Sequence, residues 1–157
     1  DSAYTVSAEK KASLGNMAYY LEGARELLEK RIFKYQKSIN LKVKSDEIDE
    51  SVDSLLFLIT NSTSVGGFKR MSPFADVSDG YLDVLIFKRI KISDAPELFA
   101  SLMGGKHIDH NKVIYLKTKN ISIESDEEVT IDVDGEKTST LPMNFKVLEN
   151  RLKIIVP

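Results

Sequence analysis

The sequence predicts a mainly β fold of the α+β class: β-sandwich-like sheets, with one helix at the start and one short helix between strands. Three observations carry this. Residues 31–44, RIFKYQKSINLKVK, alternate with period two. Phe33, Tyr35, Ile39, Leu41 and Val43 fall on one side, and Lys34, Gln36, Ser38, Asn40, Lys42 and Lys44 on the other. From residue 112 onward the chain breaks into short strand-like runs separated by turns. Only two segments repeat at helical spacing.

The first of these is 7–30, SAEKKASLGNMAYYLEGARELLEK. Ser7 can cap it, and Glu9 sits in the first turn, where the helix dipole favours a carboxylate. Leu14, Met17, Ala18, Leu21 and Leu28 share one face, while Gly15 and Gly23 weaken the helix. The half-buried strand 31–44 follows, with its cationic outer face. After the polar turn SDEIDES come SVDSLLFLIT as a buried strand, a long loop over 61–80, and YLDVLIFKRI as another strand. SDAPELFASLMGG is the second helix, capped by Asp94 or Ser93 and ended by Gly104. KVIYLKTKNISIES, EVTIDV, EKTSTLP, FKVLEN and RLKIIVP then read as strands. With no internal boundary or repeat, 1–157 reads as a single domain.

Bulk properties exclude several classes of function. The 157 residues are 42% hydrophobic and 29% charged, enough for one sizeable core. A formal net charge of −2 gives no general attraction to nucleic acid or to an anionic bilayer. There is no cysteine, hence no disulfide framework, thiolate nucleophile or Cys-type zinc site. The longest apolar run, LLFLI at 55–59, is far short of the roughly 20 residues that span a bilayer. The opening DSAYTVSAEKK lacks the pattern of a signal peptide, and a cytoplasmic location is expected. The chain starts at Asp rather than Met, which fits a fragment of a longer protein.

Four stretches could hold chemistry. SPFADVSDGYLDVLIF, 72–87, sets Asp76, Asp79 and Asp83 around an Asp-Gly turn at the mouth of an apolar strand. A turn there would fold the carbonyls of Asp76 and Tyr81 towards the Asp79 side chain, an oxygen cup suited to a hard cation. The same spacing also suits a capped turn with solvated acids. IDVDGEKTST, 131–140, carries a hairpin signal at Asp134-Gly135 with Glu136 directly after it. By alternation Ile131 and Val133 point one way, Asp132 and Asp134 the other. Glu136 is then either a general base at a strand tip or an exposed acid. NSTSVGGFKR, 61–70, is a binding loop or a flexible connector, and matches no phosphate-binding glycine motif. In HIDH, His107, Asp109 and His110 could ligate a metal, but no further ligand stands at a recognised spacing. No nucleophile elbow supports a hydrolase triad.

Taken in order, NSTSVGGF…SPFADVSDGYLDVLIF, GGKHIDHNKVIYLKTKNISI and VTIDVDGEKTSTLPMNFKVL resemble the second, β-rich domain of bacterial soluble diacylglycerol kinases and related lipid kinases. AYTVSAEKKASLGNMAYYLEG resembles that family's interdomain helix. The resemblance implies a two-domain enzyme whose N-terminal domain holds ATP through Gly-Gly-Asp-Gly-Thr, a motif this chain lacks. It implies structural Mg2+ on the Asp79 side chain and the carbonyls of Asp76 and Tyr81. It makes Glu136 the acceptor of the proton from the lipid hydroxyl, in a cleft shared with the magnesium turn. The expected partners are the ATP-binding domain and a lipid at the membrane surface; a homodimer is in keeping with the family, and nucleic acid is not expected. The isolated chain is expected to be inactive. Two other readings stand beside it. One is a non-catalytic β-sandwich module docking lipid headgroups or a protein on the Lys34–Lys44 strand. The other is a kinase for nucleotide cofactors, since NAD kinases share the two-domain plan.

Overall fold

A computed structural model describes residues 38–65, 68–149 and 151. The expected first helix, the start of the first strand and the last strand lie outside the described residues. All described residues belong to one unit, Ser38–Pro157. Eight strands run in order: β1 Ile39–Ser45, β2 Asp49–Thr60, β3 Leu82–Lys88, β4 Val113–Thr118, β5 Asn120–Ser125, β6 Thr130–Val133, β7 Glu136–Thr140 and β8 Met143–Lys146. Among the described residues one α-helix, α1, Ala95–Gly104, stands between β3 and β4. The mainly β architecture is as expected.

Six strands form one antiparallel ladder in the order β4-β3-β2-β1-β5-β8, and β6 and β7 pair as a separate hairpin. The ladder cannot be flat. β4 and β5 lie four steps apart in it, about 19 Å in a flat sheet. Yet Lys119 alone joins them, and two residue steps reach about 7 Å at most. The sheet therefore folds over on itself, and β4–β5 runs as one bent strand from one layer into the other. β2 makes the second corner: its first half pairs with β1, its second half with β3, and the register slips between Ser54 and Leu56. Buried Ser54 stabilises that bulge by donating its hydroxyl towards the carbonyls of Leu56 (3.0 Å) and Phe87 (3.2 Å).

The folding-over creates two apolar layers. Inside lie Leu41, Val43, Val52, Val84, Ile86, Ile121 and Ile123, with Ile131 and Leu141 from the hairpin strands and the turn after them. Outside, Leu85, Phe87 and Val113 on β3–β4 are covered by Leu98 of α1 and Met71 of the 61–81 loop. β3 therefore carries a continuous apolar run: Val84, Leu85 and Ile86 are all fully buried, each stabilising by about 1.5–3 kcal/mol.

Local details refine the expectations. Asp94 precedes α1, but its carboxylate takes the Ser93 hydroxyl at 2.9 Å and makes no side-chain cap. The helix ends at Gly104 as expected, and Gly105 caps it. Gly105 is left-handed (φ 68), and its N–H bonds Leu102 O at 3.1 Å. KVIYLKTKNISIES is two strands, not one. The 61–70 loop is not a free connector: Val65 and Phe68 pair by two backbone hydrogen bonds and pack on the outer core, while Gly66 and Gly67 lie outside the described residues. No helix among the described residues is long and apolar enough to cross a membrane.

Candidate functional site: the Asp76–Tyr81 turn and the Glu136 hairpin

The three acids of 72–87 have three different environments. Asp76 closes an Asx turn, its Oδ1 accepting both the Ser78 N–H (2.8 Å) and the Ser78 hydroxyl (2.6 Å). Those bonds hold its carboxyl below the usual carboxylate range. Asp79 sits where the chain reverses through Gly80, whose φ of +73 is one that L-residues avoid. Its Oδ1 accepts the Tyr81 N–H at 2.9 Å and its Oδ2 the Lys117 ammonium at 2.6 Å. The lysine first, and the backbone bond next, keep the Asp79 carboxyl low. The same contact pushes Lys117 above its ordinary value.

Asp83 is fully buried at the start of β3. It points to the outer layer with Leu85 and Phe87, and the ladder sets Lys117 directly opposite it and Tyr115 opposite Leu85. The Tyr115 hydroxyl donates to Asp83 Oδ1. Asp83 Oδ2 has no hydrogen bond, and the Lys117 nitrogen is 4.0 Å away. Burial raises the Asp83 carboxyl, and burial together with the carboxylate raises the Tyr115 phenol. A tilted contact of Phe74 with Tyr115, 6.1 Å between centroids, covers this cluster in part. At the β4–β5 corner Lys119 pairs with Glu149 at 2.6 Å and lies 5.2 Å over the Tyr81 ring.

The donor set fits a hard cation. Asp79 supplies an anionic oxygen with lone pairs left after its two contacts. With the Asp76 side chain committed to Ser78, its carbonyl is the free donor, holding only a long 3.3 Å bond from the Asp79 N–H. No group of three acidic or histidine side chains among the described residues gathers as a metal site. An ion here would depend on one carboxylate and on backbone oxygens.

The Asp134-Gly135 signal produces the expected hairpin. Both residues have positive φ (53 and 90), and Val133 pairs directly with Glu136 across a two-residue turn. Glu136 is exposed at the first position of β7. Ile131 is buried, whereas Val133 beside the turn is 43% exposed; the register shift leaves Thr138 of β7, not a β6 residue, without a partner in the ladder. The hairpin roots Ile131 in the inner layer, whereas Asp83 and Lys117, the partner of Asp79, lie on the outer face.

The remaining candidates resolve differently. His107 is fully buried, its Nε2 donating to the Met71 carbonyl at 2.7 Å and its ring stacked on Phe87. His110 Nδ1 accepts the Lys112 N–H, and Asp109 is exposed. HIDH is thus a packing element. The lysine face of β1 lies in the middle of the ladder rather than at an edge, with Lys42 on Asp126 (2.9 Å) and Lys44 on Asp49 (3.1 Å). Sequence reasoning passed over Tyr115 and Lys117. The only signal was a lysine in phase with Val113 and Tyr115, which becomes informative once the register sets it against Asp83.

A folded-over β sheet with a helix on one layer and an acidic turn at its corner defines the class. The chain matches, over residues 2–156, the YegS C-terminal NAD kinase beta sandwich-like domain, and it belongs to that family. A diacylglycerol kinase of Staphylococcus epidermidis is 30% identical over 99% of this chain and 47% of its own length. One from Bacillus subtilis is 29% identical over 98% of this chain and 49% of its own. The crystal structure of a diacylglycerol kinase from Bacillus anthracis superposes with a TM-score of 0.62 at 27% identity, covering 90% of this chain and 46% of that one. The chain spans about half the length of these relatives.

Proposed function

We propose that this chain is the second domain of an ATP-dependent lipid kinase that phosphorylates the hydroxyl of diacylglycerol or a similar lipid at the membrane surface. The observation that carries this reading is the family match over 2–156, together with relatives that are diacylglycerol kinases at 28–30% identity. A nucleotide-binding domain would supply ATP. The lipid hydroxyl oxygen bonds to the γ-phosphorus as the bond from that phosphorus to the β,γ-bridging oxygen breaks, and ADP leaves. Glu136 takes the hydroxyl proton. Its exposure at a rigid two-residue turn supports that role, because such a base must reach a substrate held by another domain. Phosphoryl transfer depends mostly on positioning and charge neutralisation, so the protein needs little more than a base, cations and a closed cleft.

In this reading Asp79 and the carbonyls of Asp76 and Tyr81 hold magnesium. When bound, the ion supplies a rigid, neutralised turn rather than a reacting group. Its seat on the outer face, with Glu136 on a hairpin rooted in the inner layer, supports a structural role for it.

The test is ATP-dependent phosphorylation of diacylglycerol in mixed micelles by the natural full-length protein. Glu136→Gln should lower turnover by about 10²–10⁴-fold with an unchanged melting profile. Near-normal turnover removes Glu136 from the mechanism. The 157-residue chain alone should show negligible turnover; measurable lipid phosphorylation by it refutes the two-domain reading.

A further inference from the structure

One ammonium on the outer face serves two carboxylates unequally. Lys117 is 2.6 Å from Asp79 Oδ2 but 4.0 Å from Asp83 Oδ2. The first oxygen lies on a partly exposed side chain that retains water as an alternative partner. The second belongs to a fully buried residue and has no hydrogen bond. A buried polar atom left unpaired is the more costly of the two. The arrangement is therefore inverted relative to what the buried acid needs. Lysine's unbranched stem and three donors let it close the gap to Asp83 by rotation alone, since the strand register already sets the two residues opposite each other.

We propose that Lys117 is an exchangeable internal counter-ion, which neutralises Asp79 when the turn is metal-free and passes to the unpartnered Oδ2 of Asp83 when a divalent cation takes Asp79. The proposal rests on the reading of Asp79 as a magnesium ligand and adds what that reading lacks, a place for the displaced charge. Without Asp83 the lysine would be ejected from a half-buried position with no partner. With it, the incoming ion releases a lysine that satisfies a buried acceptor. Lys117 and Asp83 then set the affinity of the turn for the ion although neither is a ligand. Lys117 acts as the competitor and Asp83 as the site that receives it.

The test is magnesium titration of the protein by calorimetry, with melting temperature in magnesium and in EDTA as a second readout. Lys117→Met, which keeps the apolar stem, should tighten magnesium binding by about tenfold, the size of one lost competing contact. Asp83→Asn should weaken binding several-fold, because the lysine loses its alternative partner. In the double variant the Asp83→Asn effect should vanish, since no lysine remains to receive. A further measurement needs no variant: in protein carrying 15N-lysine, the Lys117 Nζ resonance should shift on adding magnesium. Binding that requires Asp79 but is unaltered by Lys117→Met, with an unmoved Nζ signal, overturns the exchange and leaves the magnesium reading standing. An Asp83→Asn loss that persists undiminished in the double variant overturns the exchange in the same way. Absence of any Asp79-dependent binding overturns both.

Discussion

Gly80→Ala tests how the acidic turn is held. Gly80 has φ +73, in the left-handed region that costs an L-residue about 1–2 kcal/mol. An added Cβ would come 3.3 Å from Glu149 Oε1 and 3.4 Å from its Cδ. Those atoms end a flexible side chain that is 51% exposed, so they can swing aside at the expense of the solvent-screened Lys119 pair. The backbone term dominates. The cost, about 1–2 kcal/mol, corresponds to a melting temperature lower by about 2–8 °C for a chain of this size. Urea unfolding gives the free energy and calorimetry the temperature. Asn at position 80 tolerates the left-handed backbone and should lose less than Ala. Glu149→Ala should rescue little of the loss, because the strain is in φ and not in the contact. Stability within about 0.5 kcal/mol of wild type, or full rescue by Glu149→Ala, refutes the reasoning.

Other outcomes follow from the same geometry. Gly104 has no atom within 4 Å of a built Cβ and no positive φ, so Gly104→Ala should stabilise α1 by about 0.4–1 kcal/mol in urea unfolding. Gly105→Ala should instead destabilise by at least about 1–2 kcal/mol, because Gly105 is left-handed and its Cβ would meet Arg70 Cδ at 3.1 Å. Burial holds the His107 imidazole below its ordinary value. The unfolded chain therefore takes the proton first, and stability present above about pH 6.5 is lost as the pH falls below it. His107→Gln should start lower at neutral pH and show a flatter decline in melting temperature between about pH 7 and 5. On the proposed magnesium role, adding magnesium should raise the melting temperature and Asp79→Asn should abolish that rise; an equal rise in variant and wild type would show that the ion binds elsewhere.

The legible parts of this sequence were those governed by local rules. The alternation of β1, the apolar run of β3, the Asp134-Gly135 turn and the Asp79-Gly80 reversal each follow from side-chain period or backbone sterics, and each stands in the structure. Asp76, Asp79 and Tyr81 do come together, because a tight turn needs only neighbours in sequence. What could not be read depends on register. Nothing local says that Lys117 faces Asp83, thirty-four positions away, or that Tyr115 reaches the same acid. Nor does alternation reveal the β7 bulge at Thr138, or that Val133 at the hairpin tip is exposed while Ile131 is buried. His107 misleads in another way: a histidine beside two glycines looks functional, but its Nε2 satisfies a loop carbonyl inside the core.

The two corners, at the Ser54–Leu56 bulge and at Lys119, stitch the layers together with continuous backbone. Neither layer can peel away while the other stays intact, since β2 and β4–β5 are threaded through both. Amide exchange should accordingly report a single cooperative opening, with β1 and β3 protected to the same degree despite lying in different layers. The acidic turn, tethered at one of those seams through Lys117 and Lys119, would then loosen only when the whole weave does.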